Sequence, residues 1–382
     1  FSGELRAYQR EGLGWLDFLG AFRLGGCLAD DMGLGKTVQI LALLQSRRVG
    51  RKNRGPSMIV VPRSLVFNWI DEAERFAPRI PFRNYTGLDR SKHLESLTTG
   101  DVLVTTYGTL RRDIVKLKEI DFDYVILDEA QAIKNQNSQV SKAARLINAK
   151  HRLAATGTPI ENHLGELWSL FEFLNPGMLG RSSVFQRCWK NGQSDDTEKL
   201  DILRSAMAPF ILRRTKEQVL SELPANTEQT LHSELDRKER KAYNQLRDYY
   251  RDLLQKKIDD QGLKRSKIHV LEALLRLRQA ACHRGLIDEN LADQSSAKLE
   301  TLIEQLGEIL DEGHKVLVFS QFTKLLAIVK KHLDERGVVY EYLDGRTRNR
   351  KQKVTRFQED TACPVFLISL KAGGHGLNLT AA

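Results

Sequence analysis

The segment Gly33-Leu34-Gly35-Lys36-Thr37, followed about ninety residues later by the apolar run Tyr124-Val125-Ile126-Leu127 ending in Asp128-Glu129, points this chain toward a parallel α/β sheet. Glycines at that spacing let the backbone curl around an anion, and the residues after them open a helix whose first N–H groups face the same way. The apolar run has the length of a strand buried on both faces, with polar residues just past its end, where open α/β sheets place their sites. The same grammar recurs in Met58-Ile59-Val60-Val61, Val102-Leu103-Val104-Thr105 and Arg152-Leu153-Ala154-Ala155, which together predict a first α/β lobe. It returns in Val316-Leu317-Val318-Phe319, Val338-Val339-Tyr340-Glu341-Tyr342 and Pro364-Val365-Phe366-Leu367-Ile368, which predict a second, smaller one.

The two opening segments also fit one chemistry. Asp30-Asp31-Met32-Gly33-Leu34-Gly35-Lys36-Thr37 suits a triphosphate: backbone N–H groups cradle the phosphates, Lys36 reaches the outer ones, and the Thr37 hydroxyl ligates Mg²⁺. Asp30 stands where the strict phosphate-loop pattern has its first glycine. Asp128 is then the residue that holds Mg²⁺ through its water shell, and Glu129 the one that polarises water for in-line transfer of the γ-phosphoryl group. Alone, Asp128-Glu129-Ala130-Gln131 is an ordinary solvated acidic stretch; the strand before it and its place after the glycine loop give it meaning.

Between about His163 and Gly313 strands are expected to vanish. Leu164-Gly165-Glu166-Leu167-Trp168-Ser169-Leu170-Phe171 and Val270-Leu271-Glu272-Ala273-Leu274-Leu275-Arg276-Leu277 carry apolar residues at helical spacing. Pro209 and Pro224 punctuate this region, and Leu223-Pro224-Ala225-Asn226-Thr227 reads as a linker. At 382 residues the chain exceeds one ordinary core, so two or three domains are expected. Lys and Arg number 59 against 49 Asp and Glu, a net charge of +10 that favours a polyanionic partner, nucleic acid first. Arg47-Arg48-Val49-Gly50-Arg51-Lys52-Asn53-Arg54 reads as a solvated basic loop. The four cysteines, Cys27, Cys188, Cys282 and Cys363, lie far apart, which indicates neither a disulfide framework nor a zinc site and fits a reducing compartment. No apolar run approaches the roughly 18 residues of a membrane helix and no secretory signal opens the chain, so no membrane association is expected. Because it begins at Phe1, the sequence is expected to be part of something longer.

Further segments fall in an order that resembles the chromatin-remodeller-type (Swi/Snf-like) branch of helicase superfamily two, over nearly the whole chain. Leu5-Arg6-Ala7-Tyr8-Gln9 is similar to that family's adenine-reading segment. Val61-Pro62-Arg63-Ser64-Leu65-Val66-Phe67-Asn68-Trp69 and Thr105-Thr106-Tyr107 resemble its first two DNA-contacting motifs. Thr156-Gly157-Thr158-Pro159-Ile160-Glu161-Asn162 looks like the motif that couples hydrolysis to lobe movement. Leu212-Arg213-Arg214-Thr215-Lys216 and Leu277-Arg278-Gln279-Ala280-Ala281-Cys282-His283 look like landmarks of its helical insertions. Val318-Phe319-Ser320-Gln321-Phe322, Tyr342-Leu343-Asp344-Gly345-Arg346-Thr347 and Ser369-Leu370-Lys371-Ala372-Gly373-Gly374-His375-Gly376-Leu377-Asn378-Leu379 complete the set. Singly, most of these are a surface glutamine, a strand end, a turn, or, for Arg213-Arg214 and the Arg276/Arg278 pair, a solvated helix face; Cys282-His283 reads as packing. Their conjunction in order carries the resemblance.

The resemblance implies an α/β fold of two RecA-like parallel-sheet lobes with helical insertions. The implied divisions are a first ATPase lobe at 1–162, a helical protrusion and linker at 163–235, a second helical protrusion at 236–312, and a truncated second lobe at 313–382. It implies ATP and Mg²⁺ as cofactors, with Lys36, Asp128 and Glu129 catalytic and Thr37 and Asp128 holding the metal. Gln9, Asp31, Met32, Gly33, Leu34, Gly35, Lys36, Thr37 and Gln131 are assigned to ATP binding, Gln131 replacing a histidine common in relatives with an amide able to bridge motifs. Pro62, Arg63, Ser64, Thr105, Thr106, Tyr107, Thr156, Gly157, Thr158, Gln321, Gly345, Arg346, Lys371, Gly373, Gly374 and Asn378 are assigned to DNA contact or coupling. The implied activity is translocation along double-stranded DNA by a monomer that remodels protein–DNA contacts, in a bacterial or archaeal cytoplasm or, for a eukaryotic chain, the nucleus. The chain stops at Ala382, before the family's arginine-bearing helix, so this piece is expected to hydrolyse ATP slowly or not at all. A strand-separating or RNA helicase, and a nucleotide-gated DNA clamp without turnover, stand as alternatives.

Overall fold

The computed structural model describes residues 1–48, 55–87, 89–157, 164–185, 196–219, 228–373, 377 and 379–382. Its contacts divide the chain into two units, Phe1–Ala225 and Asn226–Ala382.

The first unit is built on seven parallel strands: β1 (Gly26–Leu28), β2 (Ser57–Val61), β3 (Phe82–Asn84), β4 (Val102–Thr106), β5 (Phe122–Asp128), β6 (Ala149–Ala155) and β7 (Ile211–Leu212), in the order β3-β4-β2-β5-β6-β1-β7. Parallel strands need crossovers that cover both faces, which is why the central strands read as unbroken apolar runs. Side chains alternate between faces: Met58 and Val60 join one core with Leu103, Leu127 and Phe173, while Ile59 and Val61 join the other with Ile40, Leu43, Trp69 and Ile126. Register then sets the position of the site. Leu28 and Asp128 both pair with Ala155, so β1, β5 and β6 end level and their following loops emerge together. Val61 pairs with Thr106, so β2 and β4 also end together, at the same edge of the sheet.

The four strands expected of this lobe are β2, β4, β5 and β6; β1, β3 and β7 were not expected, being only three, three and two residues long. The expectation that strands stop after His163 fails at β7, where Ile211 and Leu212 pair with Cys27 and Leu28. The helix Leu164–Leu174 likewise belongs to the first unit, with Phe171 and Phe173 fully buried and Ser169 Oγ donating to the Ile133 carbonyl at 2.6 Å. The fourfold division of the chain stays a proposal about how these units are subdivided.

The second unit opens with a helical hairpin, Arg237–Gln261 and Leu263–Cys282, turning at Gly262, whose φ of 76° suits glycine. A reciprocal cap starts it: Glu239 N donates to Asp236 Oδ1 at 2.6 Å and Asp236 N to Glu239 Oε2 at 3.0 Å. Beyond it β8 (Val316–Ser320), β9 (Tyr340–Leu343) and β10 (Val365–Ser369) form a parallel sheet in the order β8-β10-β9, the three strands expected there. Val365 and Leu367 pack with Leu326 on one face, Phe366 and Ile368 with Phe357 on the other.

Candidate active site

The loop between β1 and the helix Lys36–Arg48 turns through two glycines with positive φ, Gly33 at 88° and Gly35 at 75°. Lys36 Nζ folds back onto the loop, donating to the carbonyls of Asp30 at 2.6 Å and Asp31 at 3.3 Å. Burial lowers its pKa, opposed by the charges of Glu129, Asp128, Asp30 and Asp31. From outside, Tyr8 Oη and Gln9 Nε2 both donate to the Leu34 carbonyl, at 3.1 and 3.2 Å, while Gln9 Oε1 accepts from Arg6 N at 3.0 Å. Gly35 is where this contact is tightest: a Cβ there would sit 2.6 Å from Gln9 Nε2. Gly35→Ala is therefore expected to cost about 1–2 kcal/mol, read as a drop in melting temperature. Gly87→Ala, at a similar φ of 83° with open space around it, carries the backbone strain alone and is expected to cost less.

At the end of β5 the carboxylates meet this loop. Asp128 is buried, its Oδ2 accepting from Trp69 Nε1 at 2.8 Å and its Oδ1 from Glu129 N at 3.0 Å. Burial pushes its carboxyl up to about 6, with the Trp69 hydrogen bond opposing. Glu129 adopts φ 49°, ψ 55°, a left-handed conformation that costs a non-glycine residue about 1–3 kcal/mol and persists only where the surroundings fix it. They do: Gln131 Nε2 donates to Glu129 Oε2 at 2.7 Å, and Gln131 Oε1 accepts from Thr156 Oγ1 at 2.9 Å. Gly157, next to Thr156, lies against Met32 of the loop, a Cβ there meeting its Cγ at 3.2 Å.

Oxygen donors for a divalent cation converge here. The Glu72 carboxyl is raised by burial and by the charge of Asp128, with the Thr37 hydroxyl beside it opposing. Among the described residues no cluster of three or more His, Cys, Asp or Glu could cage a metal. One buried carboxylate beside one hydroxyl suits Mg²⁺ shared with phosphates better than an all-protein site.

Sequence reasoning missed the support beneath the loop. Arg214, read as part of a solvated helix face, is buried: its Nε donates to Asp30 Oδ1 at 2.9 Å and its Nη2 to Asp30 Oδ2 at 2.5 Å and to Gln39 Oε1 at 2.9 Å. Arg214 Nη1 also donates to the Tyr8 carbonyl, and the guanidinium lies 5.2 Å from the Tyr8 ring centroid. Asp30, fully buried, is thus an anchor for a cation 184 positions away. The only local signal was the apolar pair Ile211-Leu212 immediately before the two arginines. Glu72 was missed as well, and Trp69, read as the end of a segment resembling a DNA-contacting motif, donates instead to Asp128; their i, i+3 spacing on the helix Val66–Phe76 puts both beside Asp128 and Thr37.

A second concavity, of about 640 Å³, opens where β2 and β4 end, lined by Pro62, Arg63, Thr86, Arg90, Thr106, Tyr107, Thr109 and Arg112 among others. Arg63 and Arg112 are exposed, with Ser64 half-buried beside Arg63; Arg90 is held by Asp113 through its Nε at 2.5 Å. Tyr107 lines this concavity, yet its hydroxyl donates to the Asp128 carbonyl at 2.6 Å. Thr105 is a correction: it is fully buried and its hydroxyl donates to the Tyr85 carbonyl at 3.0 Å, so it faces the core and no ligand. Arg47 is another, paired with Asp123 at 2.9 Å through both Nε and Nη2; the rest of that basic segment, 49–54, lies outside the described residues.

In the second unit Gln321 Oε1 accepts from Arg278 Nη2 at 2.7 Å, a surface contact, and Arg276 and Arg278 are both exposed. Arg346 and Lys371 are exposed; Gly345 sits in the turn after β9, where Arg346 N donates to Asp344 Oδ1 at 2.9 Å. Gly373 packs so closely that a Cβ would lie 2.7 Å from Ile368 Cγ2. Thr158, Gly374 and Asn378 lie outside the described residues. No helix among the described residues is long and apolar enough to cross a membrane.

Comparison with known proteins agrees with this geometry. The SNF2-related domain profile matches residues 8–286, and the helicase conserved C-terminal domain matches 297–382. An uncharacterized ATP-dependent helicase of Mycoplasma pneumoniae is 38% identical over 99% of this chain, which covers 36% of that protein. The TATA-binding protein-associated factor MOT1 of Saccharomyces cerevisiae is 33% identical over 99% of the chain, which covers 24% of it. The chain thus spans about a third or less of these relatives. The SWI2/SNF2 ATPase core of Sulfolobus solfataricus, solved in complex with dsDNA, is 35% identical, with a TM-score of 0.56 over 100% of this chain and 81% of that one.

Proposed function

The chain belongs to the SNF2-related family of helicase superfamily two, and from that premise we propose that it is a DNA-dependent ATPase that translocates on double-stranded DNA and remodels protein–DNA contacts. The observation that carries this reading is Tyr107. Its ring lines the arginine-bearing concavity while its hydroxyl holds the backbone of Asp128, so a ligand at one site bears directly on the carboxylates of the other.

In this scheme the triphosphate lies in the curl of Gly33–Gly35, and Lys36 leaves the loop carbonyls for the outer phosphates. Thr37 and Asp128 would hold Mg²⁺, which supplies neutralisation of phosphate charge. Glu129 takes the proton from the attacking water. Its carboxylate is aimed by the strained backbone and by Gln131, and Thr156 connects that amide to the segment after β6. Gln9, already seated on the loop, is the adenine contact in this reading. Arg63 and Arg112 grip the DNA backbone, which gives affinity without sequence preference.

The test is ATP hydrolysis by a version extended through the arginine-bearing helix that the resemblance implies, without nucleic acid and with duplex DNA, single-stranded DNA and RNA. Duplex DNA is expected to stimulate most. Stimulation by RNA or single strands alone would support a strand-separating helicase, and none by any of them a clamp. Arg63→Ala is expected to weaken duplex binding equally for unrelated sequences and to reduce the slope of log K against log salt by about 1. An unchanged slope would remove Arg63 from the interface.

A further inference from the structure

We infer that Lys216 is a second phosphate-contacting lysine of the nucleotide site, delivered to the glycine loop by the strand and strap that follow the first unit's helical insertion. The inference rests on the nucleotide reading above and adds a residue to it.

Two backbone hydrogen bonds and one from backbone to side chain lay residues 212–216 along the start of the loop. Ala29 N donates to the Leu212 carbonyl at 2.7 Å, Asp31 N to the Arg214 carbonyl at 3.0 Å, and Lys216 N to Asp31 Oδ2 at 3.1 Å. The buried Asp30–Arg214 pair fixes this strap from below. The strap places the Lys216 side chain over Gly33: a Cβ on that glycine would lie 3.5 Å from Lys216 Cε and 3.7 Å from Nζ. Gly33 is one of the two left-handed glycines through which the loop turns, so an ammonium there lies against the backbone that would cradle an anion.

The two lysines differ in what they are doing. Lys36 is half-buried and spends its donors on the loop's own carbonyls. Lys216 is exposed, and among the described residues no carboxylate lies within ion-pair reach of its Nζ; the nearby Asp31 carboxylate is occupied by the Lys216 backbone. A lysine on a chain fixed at its backbone, with a free ammonium beside a phosphate loop, is placed to add charge to polyphosphate binding without holding the fold together. Its neighbour Arg213 is also exposed but carries no such contact, which makes it the natural control.

The experiment measures equilibrium binding of AMP, ADP and a non-hydrolysable ATP analogue by calorimetry to the whole chain and to its Lys36→Ala, Lys216→Ala, Lys216→Arg and Arg213→Ala variants. Lys216→Ala is expected to weaken the triphosphate about tenfold, ADP less and AMP least. Lys216→Arg should retain most of the affinity, Arg213→Ala all of it, and the melting temperature without nucleotide should not move for Lys216→Ala or Arg213→Ala. If the parent binds the analogue and Lys216→Ala binds it equally well, or loses AMP and triphosphate affinity in the same proportion, the inference is overturned while the nucleotide reading stands. If the parent binds no nucleotide, or Lys36→Ala binds as tightly as the parent, the reading itself falls and the inference with it.

Discussion

Replacing Arg214 by alanine is expected to destabilise the first unit by about 3–5 kcal/mol, the range for breaking a buried ion pair from one side. The size follows from what stays behind. Asp30 is fully buried, and without the guanidinium its carboxyl is left, among the described residues, with the backbone N–H of position 214 at 3.1 Å and Gln39 Nε2 at 3.2 Å as donors. Gln39 Oε1 and the Tyr8 carbonyl each lose a donor, and Gly12, where a Cβ would lie 2.9 Å from Arg214 Nη2, loses the guanidinium packed against it. Urea unfolding should show the loss as an earlier midpoint for the first unit. Arg214→Lys keeps the charge but cannot make the paired contact, and should fall between parent and alanine. Replacing Asp30 and Arg214 together by leucine and methionine should recover part of the loss, because no uncompensated charge remains. A cost below about 1 kcal/mol for Arg214→Ala would mean that solvent reaches Asp30 and that the pair does not anchor the loop.

That pair also marks the limit of what was legible in the sequence. Long apolar strands announce themselves, so β2, β4, β5, β6 and the three strands of the second unit lie where the periodicity places them. The loop and Asp128-Glu129 stood out because each is a short run of distinctive residue types, glycines before Lys36-Thr37 and an acidic pair closing an apolar strand, that a local window contains whole. The two-residue β7 has no period to detect, and its identity as a strand depends on Cys27 and Leu28 far away. Whether an arginine is solvated or buried depends on a partner 184 residues distant, and the sequence around Arg214 looks like that around any exposed pair. Thr105 shows the converse: it belongs to a recognisable motif, but alternation along β4 turns it to the core while Thr106, next to it, caps the following helix by accepting from Thr109 N. Motif membership located the segment; only the pleat decided which residue faces outward.

Changing Glu129 to glutamine in the version extended through the arginine-bearing helix is expected to lower duplex-stimulated ATP turnover by about 10²–10⁴-fold, the contribution of a positioned general base, while nucleotide affinity stays within about threefold of the parent. The substitution keeps the shape of the side chain and leaves Lys36, Thr37 and Asp128 untouched, so what it removes is the acceptor for the water's proton. The surroundings tolerate it, because the amide oxygen can still accept from Gln131 Nε2, the contact that now spans 2.7 Å. Asp128→Asn should separate from it cleanly. Asp128 sits in the Trp69 and Thr37–Glu72 neighbourhood, so its loss should weaken Mg²⁺-dependent nucleotide binding as well as turnover. Single-turnover hydrolysis and analogue affinity, measured side by side, give the split: a fall in rate alone for Glu129→Gln, a fall in both for Asp128→Asn. If Glu129→Gln turned over within tenfold of the parent, the base would have to be another group. Glu72 would then be the first to test, because it lies beside Asp128 and burial and the Asp128 charge raise its carboxyl above the ordinary carboxylate value.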